Sequence, residues 1–351
     1  MRAESLLPRS STLRACFVTL LFSLWHHVAH AQFTFTTNSG ALTITGYAGP
    51  GGAVRIPASI DGYVVTEIDD LAFYRYDGFN HVAITNIALP DTITNIGYEA
   101  FAYCFSLAGA TLGTNIASIG NAAFNSCGLT TLTIPPSVTR IGSSAFAGCS
   151  GLTTLKLSSG ISVIGDSAFS GCWMLTNVTL PNSLISIGDA AFSGLSRVAT
   201  FNIPYGVTNI GRRAFSRCSS LTAITVDDLN AFYTSVDGVL LDKHLGALIQ
   251  YPIGNTNQNY AVPSTVTSIW EYAFAVCFSL TSVNLPSGVR SIEDGAFLSC
   301  ANLSSISIPE NVACIGSRVF DSCYRIATIV VPDSVTTVSY THLTLPTNRE
   351  V

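Results

Sequence analysis

The chain has 351 residues, enough for two ordinary domains or one elongated one. Charged residues make up 11% and apolar residues 48%, so core material is plentiful and much of the surface must be Thr, Ser, Asn and Gly. The net charge is −5, with no basic stripe to neutralise phosphates, which argues against nucleic acid as a partner.

The first 31 residues read as an export signal. Arg2, Arg9 and Arg14 form a basic start, and Ala15 to Trp25 is an apolar run too short to span a bilayer. Ala29-His30-Ala31 then offers a small-x-small cleavage pattern with Gln32 as the mature start. The competing reading is an uncleaved N-terminal anchor. Without this segment, 16 basic residues less those three arginines and 21 acidic residues less Glu4 give 13 and 20, a net of −7. No later segment reads as membrane-spanning.

Residues 32–53 hold two alternating apolar stretches around Asn38-Ser39-Gly40, the signature of a hairpin. From residue 54 to 338 one pattern dominates. Phe recurs at 73, 101, 124, 146, 169, 192, 215, 274, 297 and 320, with spacings of 22 or 23 residues apart from one of 28 and one of 59. Ala precedes nine of these ten, and an Ile stands five residues before each. The unit is L-T-x-L-x-I-P-x-x-V-T-x-I-G-x-x-A-F-x-x-C-x-x, in about 11 copies.

The unit has a direct physical reading. In Thr131-Leu132-Thr133-Ile134 the alternation is strict, so Leu132 and Ile134 face inward and the threonines outward. Pro135 ends the strand. Val138 and Ile141 return the chain to the core, and Gly142 is expected to allow a tight corner. SSAFAGC is expected to form one helical turn that sets Ala145, Phe146 and Cys149 against the core. One unit cannot bury this face alone, but units stacked in parallel register about 4.8 Å apart can. The expected fold is a β-rich repeat solenoid with short helical turns: a right-handed coil carrying a parallel sheet on its concave face.

These units resemble the BspA-like leucine-rich repeats of bacterial surface proteins, over about residues 33 to 338. The resemblance implies a hairpin before the first repeat, which would cover the open end of the core. It also implies a secreted or cell-surface protein that binds or adheres to host, matrix or cell-surface partners. The Ala-Phe-x-x-Cys turn and Ile-Pro step argue against the other candidate, a right-handed β-helix of the polysaccharide-lyase kind.

Two irregularities stand out. Between Phe215 and Phe274 one long unit carries an insertion over 224–262. Here Ser235 to Leu240 and Ala247 to Tyr251 read as two strands joined near Lys243-His244, a projecting hairpin of the kind that recurs in the family. After Pro332 the register asks for Phe at 343 and Cys at 346, but the chain supplies Leu343 and Pro346. Residues 339–351 are therefore expected to be a truncation or foreign sequence.

Eight of the ten cysteines, Cys104, Cys127, Cys149, Cys172, Cys218, Cys277, Cys300 and Cys323, stand three residues after a ladder Phe. Leu195 fills the same position in another unit. This spacing predicts a row of buried free thiols acting as small hydrophobes beside Phe101, Phe124, Phe146, Phe169, Phe192, Phe215, Phe274, Phe297 and Phe320. Scattered disulfides or a metal are less favoured readings of it. His81 and His244 lie in irregular segments, and no Ser-His-Asp set, phosphate loop or zinc motif is present. Asp227, Asp228, Asp237 and Asp242 match no calcium-loop pattern and read as turn carboxylates. No cofactor, metal or enzymatic activity is expected.

The candidate ligand face is the row of outward strand residues: Thr131, Thr133, Thr154, Lys156, Asn177, Thr179, Thr200, Asn202, Thr225, Ser282, Asn284, Ser305 and Ser307, with Ala223 among them. Its hydroxyls and amides suit an extended extracellular protein or polysaccharide met by a monomer. The competing reading is that Thr is simply a good strand residue. The alternative function is that of a targeting arm for a larger extracellular enzyme.

Overall fold

A computed structural model describes residues 32–74 and 83–338. The export segment, His81 and the tail 339–351 lie outside the described residues.

The chain winds into stacked coils, each contributing to ladders that run along the stack. One ladder is built from the strands that precede the repeat proline. Gly52–Arg55, Ile84–Ala88, Gly109–Thr111, Thr131–Thr133 and Thr154–Lys156 form a five-stranded sheet. After a gap it resumes as Thr200–Ile203 with Ala223–Val226, and again as Asn259–Ala261, Ser282–Asn284 and Ser305–Ile306. Its pairs are parallel and offset by one repeat, as in Thr131 with Thr154. A second ladder uses two-residue strands ending at the repeat Ile: Arg140–Ile141 pairs with Val163–Ile164, and that with Ser186–Ile187.

The Ala-Phe segment makes a third ladder. It is not helical, which corrects the expected helical turn. Ser144, Phe146 and Gly148 donate their N–H groups to Asp166, Ala168 and Ser170 of the next coil at 2.7–2.8 Å. The N–H groups between them, of Ala145, Ala147 and Cys149, bond three residues back within the coil. This alternation turns every second amide toward the next coil and requires left-handed backbone at Ser144 (φ 55°) and Gly148 (φ 71°). A left-handed non-glycine costs about 1 kcal/mol, and the inter-coil bonds offset it at about 1 kcal/mol each. Gly142 also differs from expectation. It is absent from the positive-φ residues, but a Cβ there would lie 2.7 Å from the Asn121 amide nitrogen. The glycine is needed for close approach of the coils.

Most repeat leucines and isoleucines and the ladder alanines and phenylalanines are buried, with Leu155 and Ile306 among those half-buried. Phe124, Phe146 and Phe169 stack at 5.3 and 5.4 Å with ring planes within 6°. The opening hairpin, Phe33–Asn38 with Ala41–Tyr47, turns at Ser39-Gly40 and lays Phe33 and Tyr47 on Phe73, closing that end of the ring stack.

The insertion is a three-stranded meander, Tyr233–Val236, Val239–Asp242 and Ala247–Gln250, all antiparallel. The expected single strand over 235–240 is split by Asp237-Gly238, both at positive φ, a two-residue hairpin turn. Nor does the meander project. Leu240 and Ile249 join the core of the preceding coils, while Val239, Leu241 and Leu248 join that of the following ones. It is a wall between two cores. Buried Asn230 anchors it: its amide donates to Pro204 and Val207 carbonyls, and its oxygen accepts the Phe232 and Tyr233 amides.

Candidate functional site

All eight ladder thiols are buried and none is in a disulfide. Beyond filling space, seven of them, all but Cys277, are placed to hydrogen bond to the coil before. Cys149 donates to the Phe124 carbonyl and Cys172 to that of Phe146, both at 3.2 Å. Burial pushes the Cys149 and Cys218 thiols up to about 12, which removes thiolate chemistry at neutral pH. Cys314, off the ladder, is exposed.

The expected ligand face divides by chemistry. Thr130, Thr153, Thr222, Thr281 and Ser304 each donate their hydroxyl to a carbonyl of the preceding coil. Thr131, Thr133, Thr154 and Thr200, one position further or more, stand exposed with no hydrogen bond to their side chains. Lys156, Asn177, Thr179, Asn284, Ser305 and Ser307 are also exposed. Thr225 bonds to Asn202 and to the Phe201 carbonyl, and half-buried Ser282 bonds to Asn259. The row is not one sheet: Asn177 and Thr179 lie in extended chain that belongs to no ladder, and Ala223 is half-buried.

A second row escaped the sequence reading. The position after the ladder Cys holds Phe105, Trp173, Phe278 and Tyr324, each 53–71% exposed. In the other coils it holds Gly128, Ser150, Ser196, Ser219 or Ala301. An aromatic-or-tiny alternation at one register position was the available signal.

A cleft of about 420 Å³ opens where the second ladder breaks, between Asn209–Ile210 and the meander strand Ala247–Gln250. The Tyr233 hydroxyl accepts the Ile210 N–H at 3.0 Å, closing that sheet edge. Arg212 reaches across to Glu271 at 3.2 Å, and the Arg213 guanidinium lies 4.9 Å over the Tyr272 ring. The expected turn aspartates are committed locally: Asp227 accepts the Leu229 amide and Asp242 that of Ala247. His244 is exposed. Among the described residues no three His, Cys, Asp or Glu converge to hold a metal ion, and no helix is long and apolar enough to cross a membrane.

The BspA type leucine rich repeat region matches in six copies over residues 66–181, 118–236 and 254–344. The chain belongs to this family. A leucine rich cell surface protein from Faecalibacterium prausnitzii A2-165 is 34% identical, with a TM-score of 0.75 over 87% of this chain and 88% of that one. A leucine-rich repeat protein from Eubacterium ventriosum is 25% identical, with a TM-score of 0.57 over 88% of this chain and 76% of its own. The pneumococcal vaccine antigen PcpA shares the fold at 22% identity and a TM-score of 0.67, over 88% of this chain and 75% of its own. No curated protein matches the chain. In this BspA-type chain the regular coils supply the two exposed rows, and the broken register supplies the cleft.

Proposed function

We propose that the chain works outside the cell, as a secreted or surface-held monomer that binds or adheres to an extended extracellular protein or polysaccharide. The observation that carries this reading is the uncommitted outward hydroxyls. Thr131, Thr133 and Thr154 retain free donors and acceptors on adjacent coils, while their neighbours Thr130 and Thr153 are tied to backbone. A row repeating at the coil spacing of about 4.8 Å matches an extended partner better than a compact one. Exposed aromatics along another register line supply the rigid anchors on which binding surfaces rely. The description of the Faecalibacterium prausnitzii relative as a cell surface protein agrees with this placement.

The test is a binding screen of the chain on arrays of glycans and extracellular proteins, repeated with a Thr131→Ala/Thr133→Ala/Thr154→Ala variant. Three lost hydrogen bonds at about 1 kcal/mol each predict a loss of tenfold or more in affinity with unchanged thermal stability. An array without a hit, or a hit indifferent to the triple substitution, overturns the assignment to this face.

A further inference from the structure

The cleft at the ladder break is built differently from the rest of the second ladder. In regular coils the residue after the repeat Ile is glycine because backbone from the previous coil presses on it: a Cβ at Gly211 would sit 2.4 Å from the Asp189 amide nitrogen. In the first two coils beyond the meander the same register position carries Trp270 and Glu293, both lining the cleft, and glycine returns at Gly316. Glu293 reaches back to accept the Glu271 amide at 3.2 Å and the Ser268 hydroxyl at 3.5 Å. An adjoining hollow of about 280 Å³ shares Arg212, Glu271 and Glu293 and continues over the next coil past Asp294.

The groups present favour a donor-rich, positively charged ligand. Asp189, Glu271, Glu293 and Asp294 oppose two guanidinia, Arg212 and Arg213. The independent observation is Gln250, which lines the cleft and is only 6% exposed. Its Nε2 donates to the Tyr251 and Ala273 carbonyls at 2.9 and 3.2 Å, which fixes the amide orientation, since the reverse would set oxygen against oxygen. That leaves Oε1 as an acceptor with no protein partner, and it is not among the sealed orphan atoms, so it meets the open space of the cleft. There it can accept from water or from a ligand N–H. Half-buried Trp270 lines the cleft while packing against both cores, an aromatic of the kind on which a guanidinium stacks.

We propose that this groove binds an extended arginine-bearing peptide segment, its cationic groups received by Glu293, Glu271 and the Gln250 amide oxygen beside Trp270. This deepens the reading of the chain as a binding protein, at a site separate from the threonine face. Arg212 is the nearer internal competitor: at 3.2 Å from Glu271, with Arg213 at 4.0 Å, it holds the carboxylate that an incoming guanidinium would take. Peptide, and not a free polyamine, is the committed occupant because the groove alternates acidic groups with an apolar floor of Ile210, Phe215 and Ile249.

Fluorescence anisotropy of a labelled hexa-arginine peptide with the full chain at low salt is the test. Glu293→Gln should weaken binding about three- to fivefold, the range for one partly solvated ion pair. Arg212→Ala should tighten it, while Glu310→Gln, which removes a remote exposed carboxylate, should leave it unchanged. Thr131→Ala/Thr133→Ala/Thr154→Ala should also leave it unchanged, which separates this site from the threonine face. No binding, tightness unaltered or reduced by Arg212→Ala, equal losses from Glu310→Gln and Glu293→Gln, or spermidine competing as well as the peptide would each overturn the proposal.

Discussion

Phe146 tests whether the coils act as one stack. Its ring is fully buried and lies between Phe124 at 5.3 Å and Phe169 at 5.4 Å, with both interplanar angles 6°. Phe146→Ala removes a buried ring at a cost of about 3–5 kcal/mol, because coils held by backbone ladders on both sides have little freedom to collapse into the void. Phe320 is the control. It stacks on Phe297 at 5.5 Å, with no second ring contact among the described residues, and is 5% exposed. Phe320→Ala should therefore cost about 1 kcal/mol less, the value of one stacked pair. In a near-linear array the central gap also weakens coupling between the coils before and after it, so urea unfolding followed by circular dichroism should broaden or split for Phe146→Ala alone. Equal costs for the two variants, or a loss below about 1 kcal/mol at Phe146, would refute the shared-spine argument.

Gly142→Ala should destabilise by about 1–3 kcal/mol in a thermal melt, since the new Cβ would strike Asn121 and Gly120 backbone at 2.7 Å. Gly40→Ala, with φ 88° but open space around it, should cost only about 1 kcal/mol. A thiol reagent at pH 8 should modify Cys314 at once and the buried ladder thiols only on unfolding. The ladder also sets a pH dependence. Cys149 and Cys218 stay protonated in the fold up to about 12 but ionise near 9.0 when unfolded. Their stabilisation is complete below pH 9 and declines by about 1.4 kcal/mol per thiol per pH unit as pH rises toward 12. Melting temperatures that stay flat across that range would contradict the burial.

The spine was legible because burial repeats with the coil: Ile141, Phe146 and Cys149 recur at one spacing, and side chains that recur in register must stack. The Asp237-Gly238 turn was harder to see. It interrupts an otherwise continuous alternation from Ser235 to Leu240, and the strong Asp-Gly signal was outweighed by the pattern around it. Left-handed Ser144 and its equivalents were invisible, since the stack imposes that conformation through inter-coil bonds and no local propensity requires it. The Arg212–Glu271 bridge joins residues far apart in sequence across the meander, so no local motif announces it. Trp270 and Glu293 did leave a trace, since with Asp69 of the first coil they are the positions where the post-Ile glycine is missing.

That trace suggests where to look in coils of this kind. Stacking forces many positions to serve their neighbours: glycine for backbone approach, Thr130 and Thr153 for carbonyl bonding, cysteine for the preceding phenylalanine. A residue held by such demands has little freedom to serve a ligand. The meander relaxes them locally, since its three antiparallel strands cap the edge at Ile210 through Tyr233 and restart the ladder at Ala247 without refilling the space between. Side chains there can be large, charged or only half satisfied, as Trp270, Glu293 and Gln250 are. Replacing Glu293 by glycine should then leave the fold intact and remove only the groove's chemistry, an outcome opposite to that expected for a buried ladder residue such as Phe146.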